Sequence, residues 1–185
     1  GKEISSLQEY QVFKKATRSE VEGYTKLRLL FVFDVKHDGR KKLRICIAGN
    51  ETEIGELNSY AAVARYRSIR LVELLAGKMG KKCTSGDIGN AFLNAKTEEL
   101  VYIIAGPEFG ALEGEIMIIQ RALYGLKTSS YKWMQYFGEV LRRMGFTPSR
   151  GDRAIWIKRV GDSYDICAAY VDDFIFVSDN AQEYL

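Results

Sequence analysis

The stretch ICAAYVDDFIFVSD, from Ile166 to Asp179, limits the fold more than any other part of the chain. An apolar run leads into Asp172 and Asp173, and a second apolar run, Phe174-Ile175-Phe176, leaves them. Two adjacent carboxylates are expensive to bury in the middle of a strand unless something pairs with them. A hairpin avoids that cost, with both aspartates at the bend, presented at one end of a sheet where a cation reaches them. Hairpin turns prefer Asn-Gly or Asp-Gly. Here a second charge stands where glycine belongs.

The rest of the chain supplies partners for such a hairpin. RAIWIKRV, a turn at Gly161-Asp162 and YDICAAY read as strand, turn, strand. Further upstream, Leu27 to Lys36 (LRLLFVFDVK) reads as a strand, His37-Asp38-Gly39 as a tight turn and KKLRICIAG as the returning strand. A loop rich in Glu, Gly and Asn follows. Ile69, Val72, Ala76 and Met79 then recur at helical spacing, with Ser68 placed to cap and Gly80 to stop the helix. KKCTSGD is a short strand-like run ending at Asp87. VYIIAG and EIMIIQRAL are strand candidates separated by the turn-prone PEFGALEG. Ser129 or Ser130 opens a second helix with Trp133, Phe137, Val140, Leu141 and Met144 on one face, and Gly145 ends it. The opening GKEISSLQEYQVFKKATRSEVEGY is polar and weakly patterned, and reads as an arm or short helix ahead of the domain. Strands and helices mix without the alternation of a doubly wound sheet, so the expected class is α+β with largely antiparallel pairing.

Composition narrows the function. The 185 residues suffice for one domain, or one and a piece, and 46% hydrophobic with 28% charged residues is ordinary globular usage. A net charge of +3 permits a polyanionic partner without demanding one. Cys46, Cys83 and Cys167 form no CxxC pair, which argues against a zinc site or a disulfide framework and favours a reducing compartment. His37 is the only histidine, so mechanisms needing two imidazoles are excluded. No signal-like opening and no membrane-length apolar run is present. The expected location is intracellular, in cytoplasm or nucleus, with no membrane partner.

Asp87 is the candidate third carboxylate, followed by Gly89 and Asn90 ahead of a possible helix. From the residues alone two readings stand. In one, Asp87 caps that helix and Asp172-Asp173 form a polar turn. In the other, the three carboxylates hold hard divalent cations, which take their remaining ligands from waters and substrate phosphates. Two such ions about 4 Å apart suit a phosphoryl displacement.

YVDD between two apolar strands resembles the signature of reverse transcriptases, and the neighbouring segments resemble the Ty1/copia class of retrotransposon polymerases. GDIGNAFLNAKTEELVYI is similar to the copia segment in which Asp, two variable residues and Ala-Phe-Leu precede a Glu-rich stretch. RALYGLKTSSYKWMQYF is similar to its Leu-Tyr-Gly-Leu-Lys segment, and KKLRICIAGN to its Lys-Ala-Arg-Leu-Val-Ala-Lys-Gly strand. The match runs in order from about Leu30 to Ser178. It departs at Thr128-Ser129-Ser130, where the family has Gln-Ala-Pro, and at Ala48, where it has a second basic residue.

The resemblance implies an RNA-directed DNA polymerase using two Mg2+ ions, with Mn2+ able to substitute, dNTPs and a primed RNA or DNA template. It implies a right-hand fingers-palm fragment with an antiparallel palm sheet packed on helices and no thumb. The implied layout is an arm at 1–25, a fingers-like part at 26–80, a palm segment at 81–94 carrying the first aspartate, a second fingers-like part at 95–127, and palm at 128–185. Asp87, Asp172 and Asp173 would be catalytic metal ligands, Asp87 and Asp172 the principal ones. Phe92 would lie under the sugar and exclude the 2′-hydroxyl, or be a core phenylalanine, or both. Tyr124 and Gly125 would line the incoming nucleotide. Arg44 and Lys42 would grip its triphosphate, or belong to a solvated hairpin face. Lys127 and Tyr170 would meet template and primer, Lys127 being equally readable as a surface lysine. Other parts of a longer polyprotein are implied partners. The alternative is a non-catalytic, polymerase-derived binding or structural module. A nucleotide cyclase or an RNA-binding domain shares the sheet, but not the Leu-Tyr-Gly-Leu-Lys segment.

Overall fold

The structure, a computed structural model, describes residues 2–35, 37–49 and 59–184. Along the chain lie α1 (Lys2–Glu9), β1 (Phe13–Ala16), β2 (Thr25–Lys26), β3 (Leu29–Val35), β4 (Lys41–Ile47), α2 (Tyr66–Met79), β5 (Cys83–Asp87), β6 (Val101–Ile104) and β7 (Ile116–Ile119). Then follow α3 (Ser129–Arg143), β8 (Thr147–Pro148), β9 (Ile155–Val160), β10 (Ser163–Tyr170) and β11 (Asp173–Val177). Pro107–Leu112, expected as a turn, is 3-10 helical, as are Ala91–Asn94 and Ala181–Tyr184. The expected loop rich in Glu, Gly and Asn lies outside the described residues. The chain divides into two compact units, Gly1–Tyr60 with Phe92–Trp133, and Ala61–Ala91 with Met134–Leu185. This division cuts across the segments expected from sequence. Helix α2, expected within 26–80, belongs to the second unit, and the expected 81–94 segment is split after Ala91.

In the first unit, four strands form a sheet in the order β1-β7-β6-β2, antiparallel except for the parallel β2–β6 pair. Of the expected arm or short helix, the short helix is present as α1, and it belongs to the first unit rather than standing ahead of it. Leu7 on α1 joins the core, Val12 is fully buried, and β1 pairs with β7 from Phe13↔Ile119 to Ala16↔Ile116. The apolar positions of the opening residues change from helical to strand spacing within a few residues, so no single period reveals them. β3 and β4 form a separate two-stranded hairpin around the Asp38-Gly39 turn, with Val35↔Lys41 closing it and Gly39 at φ +78. Only its root reaches the core, through Ile45, Ile47 and Leu29, while Phe33 is 78% exposed.

In the second unit, five antiparallel strands run in the order β5-β11-β10-β9-β8. The two-residue strand β8, which contains Pro148, was not among the expected strands. As the outermost strand it tolerates a residue with no N–H to donate. Helix α2 packs Val72, Ala76 and Ile69 against Ile166, Ala168 and Val177 on one face of the sheet. Gly80 ends it in a left-handed conformation, as expected.

The expected Ser68 cap is not formed. The helix begins at Tyr66, after Arg65 in an extended conformation with no capping side chain of its own. Asp152 caps it from elsewhere, its Oδ2 accepting from the Arg65 N–H at 3.1 Å and the Ser68 hydroxyl at 2.6 Å. Burial pushes the Asp152 carboxyl up, but these bonds, one from the Ala154 N–H and the Arg65 charge outweigh it and hold the group below its usual range. Asp152→Ala is expected to cost about 0.5–2 kcal/mol, the worth of a helix cap, in urea unfolding. An unchanged midpoint would refute the capping role.

Candidate active site

The sheet register brings two of the three aspartates side by side. Asp173 opens β11 and lies directly opposite Asp87, the last residue of β5, while Tyr170 at the end of β10 lies opposite Asp173 on its other side. Directly paired residues share a face, with Cβ atoms about 4.5–5.5 Å apart. Tyr170, Asp173 and Asp87 therefore form one cross-strand row. All three line a cavity of about 550 Å³, together with Ile69 of α2, Ala168 and Ile175.

The bend falls one residue earlier than expected. Val171 and Asp172 form the two-residue loop, and Asp173 is already in the strand. Val171 sits at φ +56, the sign required at the first central position of a type II′ turn. A β-branched residue there is strained by about 1–3 kcal/mol. The Ile88 N–H donates to the Asp172 carbonyl at 2.8 Å, fixing the loop to the end of β5. Asp172, expected with Asp87 as a principal ligand, is thus a half-buried turn residue, and the register places Asp173 opposite Asp87.

Asp87 does not cap a helix. Among the described residues, none of the three carboxylates has a side-chain hydrogen bond or ion pair. Two like charges directly opposite each other destabilise a sheet, so the pair suits a cation. Among the described residues no group of three His, Cys, Asp or Glu side chains is gathered into a metal cage.

The other candidates lie in the first unit. Lys42 and Arg44 share one face of β4, half-buried, opposite Asp34 and Val32. Phe92 is only 7% exposed, so it is a core phenylalanine, and its ring meets that of Tyr124 at 4.7 Å between centroids. Tyr124 itself is 36% exposed. Gly125 has φ +98, and its open side faces the Ile47 backbone of this same chain. Lys127 is exposed.

Sequence reasoning missed Glu99. This buried carboxylate accepts from the Thr128 N–H at 2.9 Å and hydroxyl at 2.7 Å, holding the start of α3. The Glu-rich run in which it sits was visible, but nothing local marks which of its members turns inward.

Comparison with known proteins agrees with this architecture. The family model described as reverse transcriptase (RNA-dependent DNA polymerase) matches residues 17–184. The chain is 27% identical over 187 residues, 95% of its length, to the retrovirus-related Pol polyprotein from transposon TNT 1-94 of Nicotiana tabacum. It is 26% identical over 188 residues, 97% of its length, to the transposon Ty1-BL Gag-Pol polyprotein of Saccharomyces cerevisiae. It spans 14% and 10% of those relatives' lengths. A foamy viral protease-reverse transcriptase, solved in complex with double-stranded DNA, shares the fold at a TM-score of 0.50 and 16% identity, over 98% of this chain and 26% of that one. The chain belongs to the reverse transcriptase family, in its copia-type retrotransposon branch.

Proposed function

We propose that this chain is the fingers-and-palm portion of an RNA-directed DNA polymerase, with the five-stranded sheet of the second unit as its palm sheet. The observation that carries the reading is the directly opposed Asp87 and Asp173, which line one cavity and have no side-chain partner among the described residues, beside the Asp172 turn. Asp87, Asp172 and Asp173 would hold two Mg2+ ions, or Mn2+ in their place, with Asp87 and Asp172 as principal ligands and Asp173 facing Asp87 across the strands. When bound, the ions neutralise charge on the attacking and leaving oxygens of an in-line displacement at the α-phosphate. The chain's own residues bind and orient. Arg44 and Lys42 make charge-assisted bonds to the triphosphate. Phe92, held against Tyr124, presents an unyielding edge to the sugar and disfavours a 2′-hydroxyl. Tyr170 and Lys127 contact primer and template.

Primer extension tests the reading, with a primed RNA or DNA template, dNTPs and Mg2+ or Mn2+. Metal-dependent incorporation by the chain and its loss in Asp172→Asn are expected. Equal extension by the variant would sink the assignment, and no extension by the parent with any metal would favour a non-catalytic module.

A further inference from the structure

In the first unit, the end of β4 crosses the loop 123–126 backbone on backbone. The Ile47 N–H donates to the Tyr124 carbonyl at 2.6 Å. A Cβ on Gly49 would be driven into the Gly125 carbonyl, with the Leu126 Cα at 3.2 Å, and a Cβ on Gly125 would be driven into the Ile47 carbonyl. Among the described glycines, these are the two whose open side meets backbone at such range. Those at Gly86, Gly106 and Gly138 meet side chains. A side chain can turn aside, but a hydrogen-bonded backbone cannot.

The crossing lies at the root of a hairpin that has no third strand. Two-stranded hairpins are marginal by themselves, and the outer half of this one is exposed. Ile45 and Ile47 seat the root in the core, and the Ala48 N–H donates to the Arg28 carbonyl at 3.0 Å. These contacts hold the root to the core. The glycine pair is what ties β4, with Lys42 and Arg44, directly to the loop whose Tyr124 packs on Phe92.

We propose that Gly49 and Gly125 are positioning residues for nucleotide binding: their crossing sets where the β4 cations stand relative to the Phe92–Tyr124 pair. This rests on the functional reading above. A misplacement of about 1 Å costs productive geometry heavily even when no contacting residue is altered.

The test uses the full chain and two readings, amide exchange at Ile47 by NMR and calorimetric affinity for dATP with Mg2+. Gly49→Ala is expected to speed exchange at Ile47 and to weaken dATP binding on the order of tenfold at a temperature where the variant is folded. Gly23→Ala serves as a control, since Gly23 is also left-handed (φ +81) but meets nothing within 4 Å. It is expected to leave dATP affinity unchanged. Should Gly49→Ala not fold, Ala48→Gly loosens the same crossing without a clash and is judged by the same readings. Faster Ile47 exchange with parent-like dATP affinity would overturn the proposal. A parent chain that binds no dATP with Mg2+ would instead overturn the functional reading, and this assignment with it.

Discussion

Asp173→Asn is expected to raise the melting temperature of the metal-free chain and, in the same molecule, to abolish its response to magnesium. The two effects have opposite signs because they share one cause. Asp173 and Asp87 face each other across adjacent strands, both exposed and neither paired. Opposed like charges cost a sheet a few tenths to about 1 kcal/mol, so neutralising one should raise the melting temperature by about 1–3 °C. On the proposed reading, the same repulsion would favour a cation between the two carboxylates. Magnesium should therefore stabilise the parent by mass action and leave the variant where it was. Metal-dependent extension should fall by about a thousandfold or more, since the ions supply several kcal/mol of barrier lowering. Asp87→Asn should behave alike, and the double variant should be little more stable than either single one, because one shared repulsion can be relieved only once. Differential scanning fluorimetry with and without Mg2+ reads all of this. A variant that melts below the parent without metal, or gains as much from Mg2+, would break the link between the pair and a cation.

What could be read from sequence was local. The Asp38-Gly39 hairpin, both long helices with their glycine stops, and the β9-β10-β11 meander follow from spacing and turn chemistry within a few residues of one another. The site's aspartates were recognisable by motif, but their register was not. Which aspartate faces Asp87 depends on where the chain bends, and a strained Val171 moves the bend one residue upstream of the place that charge alone suggests. Contacts between distant positions left no local trace. Asp152 and Glu99 each secure the start of a helix to which they do not belong, Asp152 from a position 87 residues beyond Arg65 and Glu99 from 29 residues before Thr128. Ser68 had the right chemistry for a cap and lay inside the helix instead. Likewise, Gly125 could be seen to need an open side, but not that the occupant is the Ile47 backbone.

Lys81→Met is expected to destabilise the second unit by about 3–5 kcal/mol at neutral pH, the cost of leaving one member of a buried ion pair alone. The Lys81 Nζ lies 2.6 Å from Asp165 Oδ1, and each side chain is only 5% exposed. The other carboxylate oxygen accepts from the Ser178 hydroxyl at 2.9 Å and the Tyr184 hydroxyl at 2.8 Å. Tyr184 in turn stacks on Phe176 and accepts from Lys158 at 3.2 Å, so the network anchors the Ala181–Tyr184 turn to the sheet. Burial pushes the Asp165 carboxyl up, but the bonds from Lys81, Tyr184 and Ser178 and the Lys81 charge outweigh it and hold the group below the ordinary 3.8. Folding thus favours the ionised form. Its contribution is complete above about pH 3.8 and is lost as the pH falls through the depressed value of the folded state. In Lys81→Met the same carboxylate is buried without its cation, and protonation relieves it. The gap between parent and variant should therefore narrow as urea unfolding is moved from pH 7 to pH 3, and adding Asp165→Asn to Lys81→Met should recover part of the loss at pH 7. A gap that stays constant or widens in acid would mean that Lys81 acts through packing of its stem rather than through its charge.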